Sequence, residues 1–146
     1  MEQLDLIMEY QPVQSYKVGY DQVVYLDNMG RLKWYKQGKS TMVEDYPVSN
    51  YFVTDYLVAY TIGDQLVVND KGNRKTLKYN KGPFMVGDSL ISFCDFQSNY
   101  LQTYYNGRIY EIEDGMGGRP FKSMLSGDNI MAYVDRNDYF KMFYRS

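Results

Sequence analysis

The chain has 146 residues, 16 Lys and Arg against 18 Asp and Glu, and a formal net charge of −2. That length supports one domain with a buried core, and mixed charge without a basic stripe argues against nucleic acid as a partner. No apolar run is long enough to cross a bilayer, and Met1–Gln11 lacks the basic start and apolar stretch of a secretion signal, so a soluble chain without membrane insertion is expected and its compartment is left open.

The first predicted element is a strand in which Leu4, Leu6, Met8 and Tyr10 share one face at period two. Pro12 then opens a phrase that returns from Pro47, Pro83 and Pro120, at spacings of 35, 36 and 37 residues. A period in this range marks an array of similar supersecondary units. Within the phrase, equivalent positions agree in type: Tyr16, Tyr51, Phe84 and Met124, then Val18, Val53, Val86 and Ser126, then Gly19, Thr54, Gly87 and Gly127. Each repeat therefore starts with a short strand and turns at or near Gly-Asp, where glycine is expected to supply a positive φ. A second strand follows through Val23-Val24-Tyr25, Val58-Ala59-Tyr60, Ile91-Ser92-Phe93 or Met131-Ala132-Tyr133.

A polar corner comes next, beginning at Asp27, Ile62, Asp95 and Asp135, and leads to third strands at Leu32–Tyr35, Leu66–Asn69, Leu101–Tyr104 and Phe140–Phe143. Turns at Gln37-Gly38, Lys71-Gly72 and Asn106-Gly107 return the chain through fourth strands at Thr41–Glu44, Thr76–Tyr79 and Ile109–Ile112. Each unit is thus four antiparallel strands, with repeats at about 12–46, 47–82, 83–119 and 120–146 in one domain and a leading segment at 1–11. The last repeat stops before its fourth strand, and the leading strand is the orphan that matches the vacancy. Pairing them removes two open sheet edges, which are aggregation hazards, and points to a closed ring.

On these residues the chain resembles the β-propeller superfamily, in which one four-stranded sheet makes one blade. It lacks the Gly-His and Trp-Asp dipeptides of WD repeats and the double glycine of kelch repeats, and its short blades are rich in tyrosine. The expected fold is all-β: four four-stranded antiparallel blades, the first strand of each nearest the axis, with the ring closed by the N-terminal strand. The alternative is an eight-blade ring shared by two chains, a homodimer formed by strand exchange.

The 17 tyrosines read mostly as packing between blades. Cys94, the single cysteine, falls within a second strand and reads as an inert buried residue. Histidine is absent, which removes the commonest general base and metal ligand. Asp27, Asp95 and Asp135 recur at corners, and Asp55, Asp88 and Asp128 at first turns, where carboxylates stabilise turns rather than catalyse. The Asp135–Asp138 run has neither the length nor the closing Glu of a calcium loop, and the glycine-rich Asp114–Pro120 connection opens no helix that would cradle a phosphate. Neither an enzyme nor a cofactor or metal is expected.

The fourth-to-first connections and the second-to-third corners emerge at one end of such a ring, and that end carries the loops in which the repeats diverge. Variable loops on a rigid frame are where binding groups concentrate. The candidate binding residues are Tyr10, Tyr46, Phe96, Met116, Arg119 and Arg136. They suit a protein partner, and the alternative is a glycan held in tyrosine-lined sites between blades. A carboxylate-based hydrolase ranks last, because no two carboxylates pair at a position unique to one repeat.

Overall fold

The computed structural model describes residues 11–95, 99–116 and 118–144. Every regular element among them is a β-strand, in four antiparallel sheets that follow one another along the chain. The first sheet holds β1 (Val13–Gly19), β2 (Gln22–Asp27), β3 (Leu32–Lys36) and β4 (Lys39–Glu44). The second holds β5 (Asn50–Val53), β6 (Val58–Ile62), β7 (Gln65–Asp70) and β8 (Asn73–Lys78). The third holds β9 (Lys81–Val86), β10 (Leu90–Asp95), β11 (Tyr100–Tyr105) and β12 (Arg108–Asp114). Three strands make the fourth sheet, β13 (Phe121–Ser126), β14 (Ile130–Asp135) and β15 (Phe140–Tyr144). The expected strand at 4–10 and the ring closure built on it lie outside the described residues.

Turn chemistry explains the meander. Gln37 and Gly38 have φ of 52° and 79°, Lys71 and Gly72 54° and 91°, and Asn106 and Gly107 49° and 83°. Two consecutive left-handed residues match the right-handed twist of the flanking strands, so three hairpins close in the expected way. The first turns work differently. Gly19, Gly87 and Gly127 do not have positive φ, contrary to expectation. A Cβ on Gly19 would lie 2.2 Å from the Thr54 carbonyl oxygen, and one on Gly87 2.2 Å from that of Gly127. Gly19 and Gly87 are there because neighbouring sheets touch backbone to backbone.

The sheets pack face to face, and strand alternation decides which residues meet. Val24 and Leu26 of the first sheet pack on Tyr51, Val58, Tyr60 and Val67 of the second. Ala59, Leu66 and Val68 of the second pack on Ile91, Phe93 and Tyr104 of the third. Leu90, Cys94 and Leu101 of the third pack on Phe121, Met131 and Tyr133 of the fourth. The core is therefore three repeated junctions. Gln22 Nε2 donates to the Thr54 carbonyl (2.7 Å), and Thr54 Oγ1 donates to the Asp88 carbonyl (2.6 Å), tying the first turns together. The first turns of all four sheets line one opening of about 360 Å³, through Gly19, Thr54, Gly87 and Gly127, so the sheets are arrayed around a common axis as propeller blades are.

Not all tyrosines pack between blades. Tyr51, Tyr60, Tyr104 and Tyr133 do, but Tyr46, Tyr79 and Tyr139 are exposed at one end and Tyr20 and Tyr56 at the other. These five rings stand on turns, corners and connections, where no second sheet covers them. Cys94 is buried, and that burial raises its thiol pKa, as an inert residue requires.

Candidate binding face and its neighbours

The corners and the fourth-to-first connections share one end of the molecule. Val48 N donates to the Gly30 carbonyl (3.0 Å), Lys81 N to that of Asp64 (2.8 Å) and Gly115 N to that of Asn99 (2.9 Å). Each connection is thus pinned to the corner beside it. The corners themselves are built around carboxylates. Asp27 Oδ1 accepts from the Met29 and Arg31 amides at 2.9 Å each, and Asp135 Oδ1 accepts from the Asn137 and Tyr139 amides at 2.9 Å each. Arg31 Nε lies 2.8 Å from Asp27, and Lys141 Nζ 3.0 Å from Asp135.

Burial alone would raise these two carboxyl pKa values, but the amides and cations more than offset it and hold both below the ordinary 3.8. The folded state then binds fewer protons than the unfolded chain near that value. Both groups stabilise the fold above pH 3.8 and lose that contribution as pH falls through their folded values. A melting-temperature series against pH is expected to fall on the acid side, and Asp27→Asn is expected to lower stability at neutral pH while flattening the acid limb. An acid limb of unchanged steepness in the variant would count against the assignment.

Of the six candidate residues, Tyr10 and Phe96 lie outside the described residues. Three others gather at the third junction. Met116 projects from the connection at φ 51°, its amide donating to Asp114 Oδ1 (2.7 Å). The Arg119 guanidinium sits 4.7 Å above the Phe121 ring, and Arg136 Nη1 donates to the Gly115 carbonyl. That last bond joins the fourth sheet's corner to the connection that precedes it. Tyr46 stands on the same end at the first junction, exposed, one residue from Asp45, which faces Arg31 at 3.8 Å.

The junctions also hold buried polar clusters that sequence reading did not find. Tyr60 donates to Glu44 Oε2 (2.9 Å), which Arg74 Nε also reaches (3.0 Å). Tyr133 donates to Glu113 Oε2 (2.7 Å), and Lys141 lies 3.1 Å from Glu113 as well as beside Asp135. Burial first, and then the bond to Glu113, push the Tyr133 phenol up to about 12. Glu113 and Asp135 converge on the ammonium of Lys141, whose single charge bridges the two carboxylates, so they form an ion cluster between blades. The signal was present in the repeat, since Glu44 and Glu113 both stand in the last two residues of fourth strands, but acidic residues at strand ends read equally well as solvated.

Grooves also open at the opposite end, among the two-residue turns. One, of about 570 Å³, runs between the third and fourth sheets and is lined by Tyr105, Asn106, Arg108, Tyr110, Asn129 and Tyr144, among others. The second, of about 340 Å³, runs between the second and third sheets beside Tyr56, Asp70, Lys71 and Ser89, and shares Tyr105, Asn106 and Asn129 with the first.

Comparison with solved structures finds propellers. Prp20p from Saccharomyces cerevisiae aligns at a TM-score of 0.58 with 12% identity, over 91% of this chain and 44% of that one. The CRINKLY WD40 ectodomain of the Arabidopsis thaliana receptor kinase ACR4 aligns at 0.57 with 9% identity, over 95% and 52%. Human WBSCR16 aligns at 0.53 with 8% identity, over 95% and 49%. The chain spans about half the length of these structures. No curated protein sequence matches it. Residues 5–146 match the family described as the 10-bladed beta propeller domain, whose name counts more blades than the four sheets here. With its sheets arrayed around one axis and nearly its whole length matched, the chain belongs to the 10-bladed beta propeller domain family.

Proposed function

We propose that the protein is a non-catalytic binding module that engages a protein partner through the loop-bearing end. The observation that carries this reading is the set of side chains presented there: Met29, Tyr46, Tyr79, Met116 and Tyr139 are all at least 63% exposed. They are interleaved with Arg119 and Arg136. Aromatic, Met and Arg side chains are the types enriched at the centres of protein interfaces. Two structures of yeast Prp20, one with Kap60 bound and one described with its binding to Gsp1p and histones, carry the same fold and support the general reading. The lack of histidine and the bridging of Glu113 and Asp135 by Lys141 favour binding over catalysis.

A second reading, a glycan-binding module, rests on the grooves at the opposite end. Tyr56, Tyr105 and Tyr110 offer faces for sugar rings, and Asn106 and Asn129 offer hydroxyl partners. One set of variants separates the two. A partner captured by the wild-type chain is expected to lose about 2 kcal/mol or more of binding when Tyr46 or Arg119 becomes alanine, and to keep its affinity with Tyr110→Ala. The reverse pattern, or glycan-array binding abolished by Tyr110→Ala alone, would replace the first reading with the second.

A further inference from the structure

The grooves among the turn tips carry an excess of one charge. A third groove, of about 380 Å³, shares Asp70, Lys71 and Asn106 with the 340 Å³ groove, and Asn106 lines all three. They form a trough around the Asn106-Gly107 turn. Among the residues that line it, Lys71, Arg74, Lys75 and Arg108 are cationic and Asp70 is the one carboxylate. The chain as a whole has a formal net charge of −2, so this imbalance belongs to the trough and not to the protein at large.

Most of that charge is uncommitted. Arg74 is held 3.0 Å from Glu44, but Lys71, Lys75 and Arg108 have no carboxylate partner among the described residues. Lys75 Nζ lies 3.5 Å from the Gly107 carbonyl and 5.8 Å from the centroid of the Tyr104 ring, so its stem crosses the junction of the second and third sheets. Asp70 Oδ2 is taken by the Tyr104 hydroxyl (2.6 Å). Lys71 and Asn106 hold the same position in their hairpins, at φ of 54° and 49°, which fixes where each side chain leaves the backbone. The Asn106 side chain has no hydrogen-bond partner among the described residues. Asn129 Oδ1 accepts from Ser89 Oγ (2.7 Å), which leaves Nδ2 as a donor. Tyr56 and Tyr110, both exposed, add ring faces beside these polar groups.

We propose that this trough is a second binding site, separate from the loop-bearing end, and that its ligand is an acidic oligosaccharide, a sugar chain bearing carboxylates or sulfates. The proposal rests on the glycan reading of these grooves and commits it to a charge. Lys71, Lys75 and Arg108 gain charge-assisted hydrogen bonds from such a ligand without giving up an ion pair. The tyrosine rings cover the apolar faces of the sugars, and the two amides and Asp70 serve their hydroxyls. An acidic peptide fits less well. An extended peptide is held through main-chain bonds to an open sheet edge, and this trough is walled by hairpin tips and the strand ends beside them.

Calorimetric titration of the 146-residue chain tests this with a short oligogalacturonate, its neutral methyl ester, a heparin fragment, an oligoglutamate peptide and a short oligonucleotide. Binding of the oligogalacturonate or the heparin fragment is expected, weaker as salt rises, with the methyl ester silent. Lys71→Ala and Arg108→Ala are each expected to weaken it about tenfold, as loss of a hydrogen bond to a charged group does. Both side chains are exposed, so the variants keep the fold. Lys122→Ala removes the same charge beside Asp138 at the loop-bearing end and is expected to leave the affinity unchanged. A methyl ester that binds as tightly as the acid overturns the proposal and leaves the glycan reading standing, whereas no binding of any sugar overturns both. An equal loss with Lys122→Ala reduces the effect to net charge and overturns the proposal. Tighter binding of the peptide or the oligonucleotide also overturns it, and assigns the trough to that anion.

Discussion

Phe93→Ala is expected to cost about 3–5 kcal/mol of folding stability, the largest effect of any single change considered, because it opens a cavity at the middle junction. Phe93 is 1% exposed and packs with Ile91 and Tyr104 of its own sheet against Ala59, Leu66 and Val68 of the second. Beside it, Phe52 and Phe84 meet edge to face at 5.5 Å, so the lost ring is flanked by two others already held in place. Neighbouring backbone cannot collapse freely into the space, because β10 is paired with β9 and β11 and the facing β6 with β5 and β7. The position is also one where the neighbouring junctions use Tyr60 and Tyr133 with an acidic partner. Here the partner column holds Lys78, which instead reaches Asp95 at 2.9 Å, and the ring is purely apolar. A loss of this size is a large share of the roughly 5–15 kcal/mol that holds a domain folded. Denaturant unfolding followed by circular dichroism reads it directly, with Tyr79→Ala, an exposed position, as the control expected to stay within about 0.5 kcal/mol of wild type. Equal midpoints for the two variants would remove Phe93 from the core.

Gly87→Ala is expected to cost about 1–3 kcal/mol, and for a reason unrelated to backbone conformation. The new methyl would sit 2.2 Å from the Gly127 carbonyl oxygen and 3.1 Å from Ser126 Cβ, so the third and fourth sheets must move apart at their first turns. That movement breaks the bonds from Asp88 N and Ser89 N to the Gly127 and Asp128 carbonyls, at 3.3 and 3.2 Å. Gly107→Ala is the informative comparison. Its φ is +83° and a Cβ there meets nothing within 4 Å, so it tests conformational strain without collision. Hydrogen exchange separates the two mechanisms: Gly87→Ala is expected to release the amides of Asp88 and Ser89, and Gly107→Ala to leave them protected. Equal protection in both variants would refute the close-approach argument.

Much of this architecture was legible in the sequence because β-structure of this kind is written locally. The Gln37-Gly38, Lys71-Gly72 and Asn106-Gly107 turns each need two left-handed residues in a row, and few residue pairs supply them. Period-two alternation through Val58–Ile62 or Met131–Asp135 then states which side chains share a face. The family match and the propeller folds of the solved structures bear out that reading. Topology alone put the connections and the corners at one end, and the structure pins each connection to its corner there, with Met116, Arg119 and Arg136 at the third junction and Tyr46 at the first.

Other features depend on what one sheet meets in the next. No local pattern distinguishes a glycine wanted for positive φ from Gly19 or Gly87, which are wanted because another backbone passes within contact distance. Equally, nothing in the run Tyr104-Tyr105 says that the first ring is buried against Asp70 while the second lines a groove with Asn129, since those neighbours come from different repeats. The number of strands per blade, their order and the faces they bury were determined by the sequence, through turn chemistry and the alternation of side chains across each strand. Only the tertiary structure decided the junctions: which acids meet Tyr60 and Tyr133, where the grooves open, and which apolar faces stay uncovered. Those depend on the stacking of units thirty or more residues apart, an interaction that no single repeat encodes by itself.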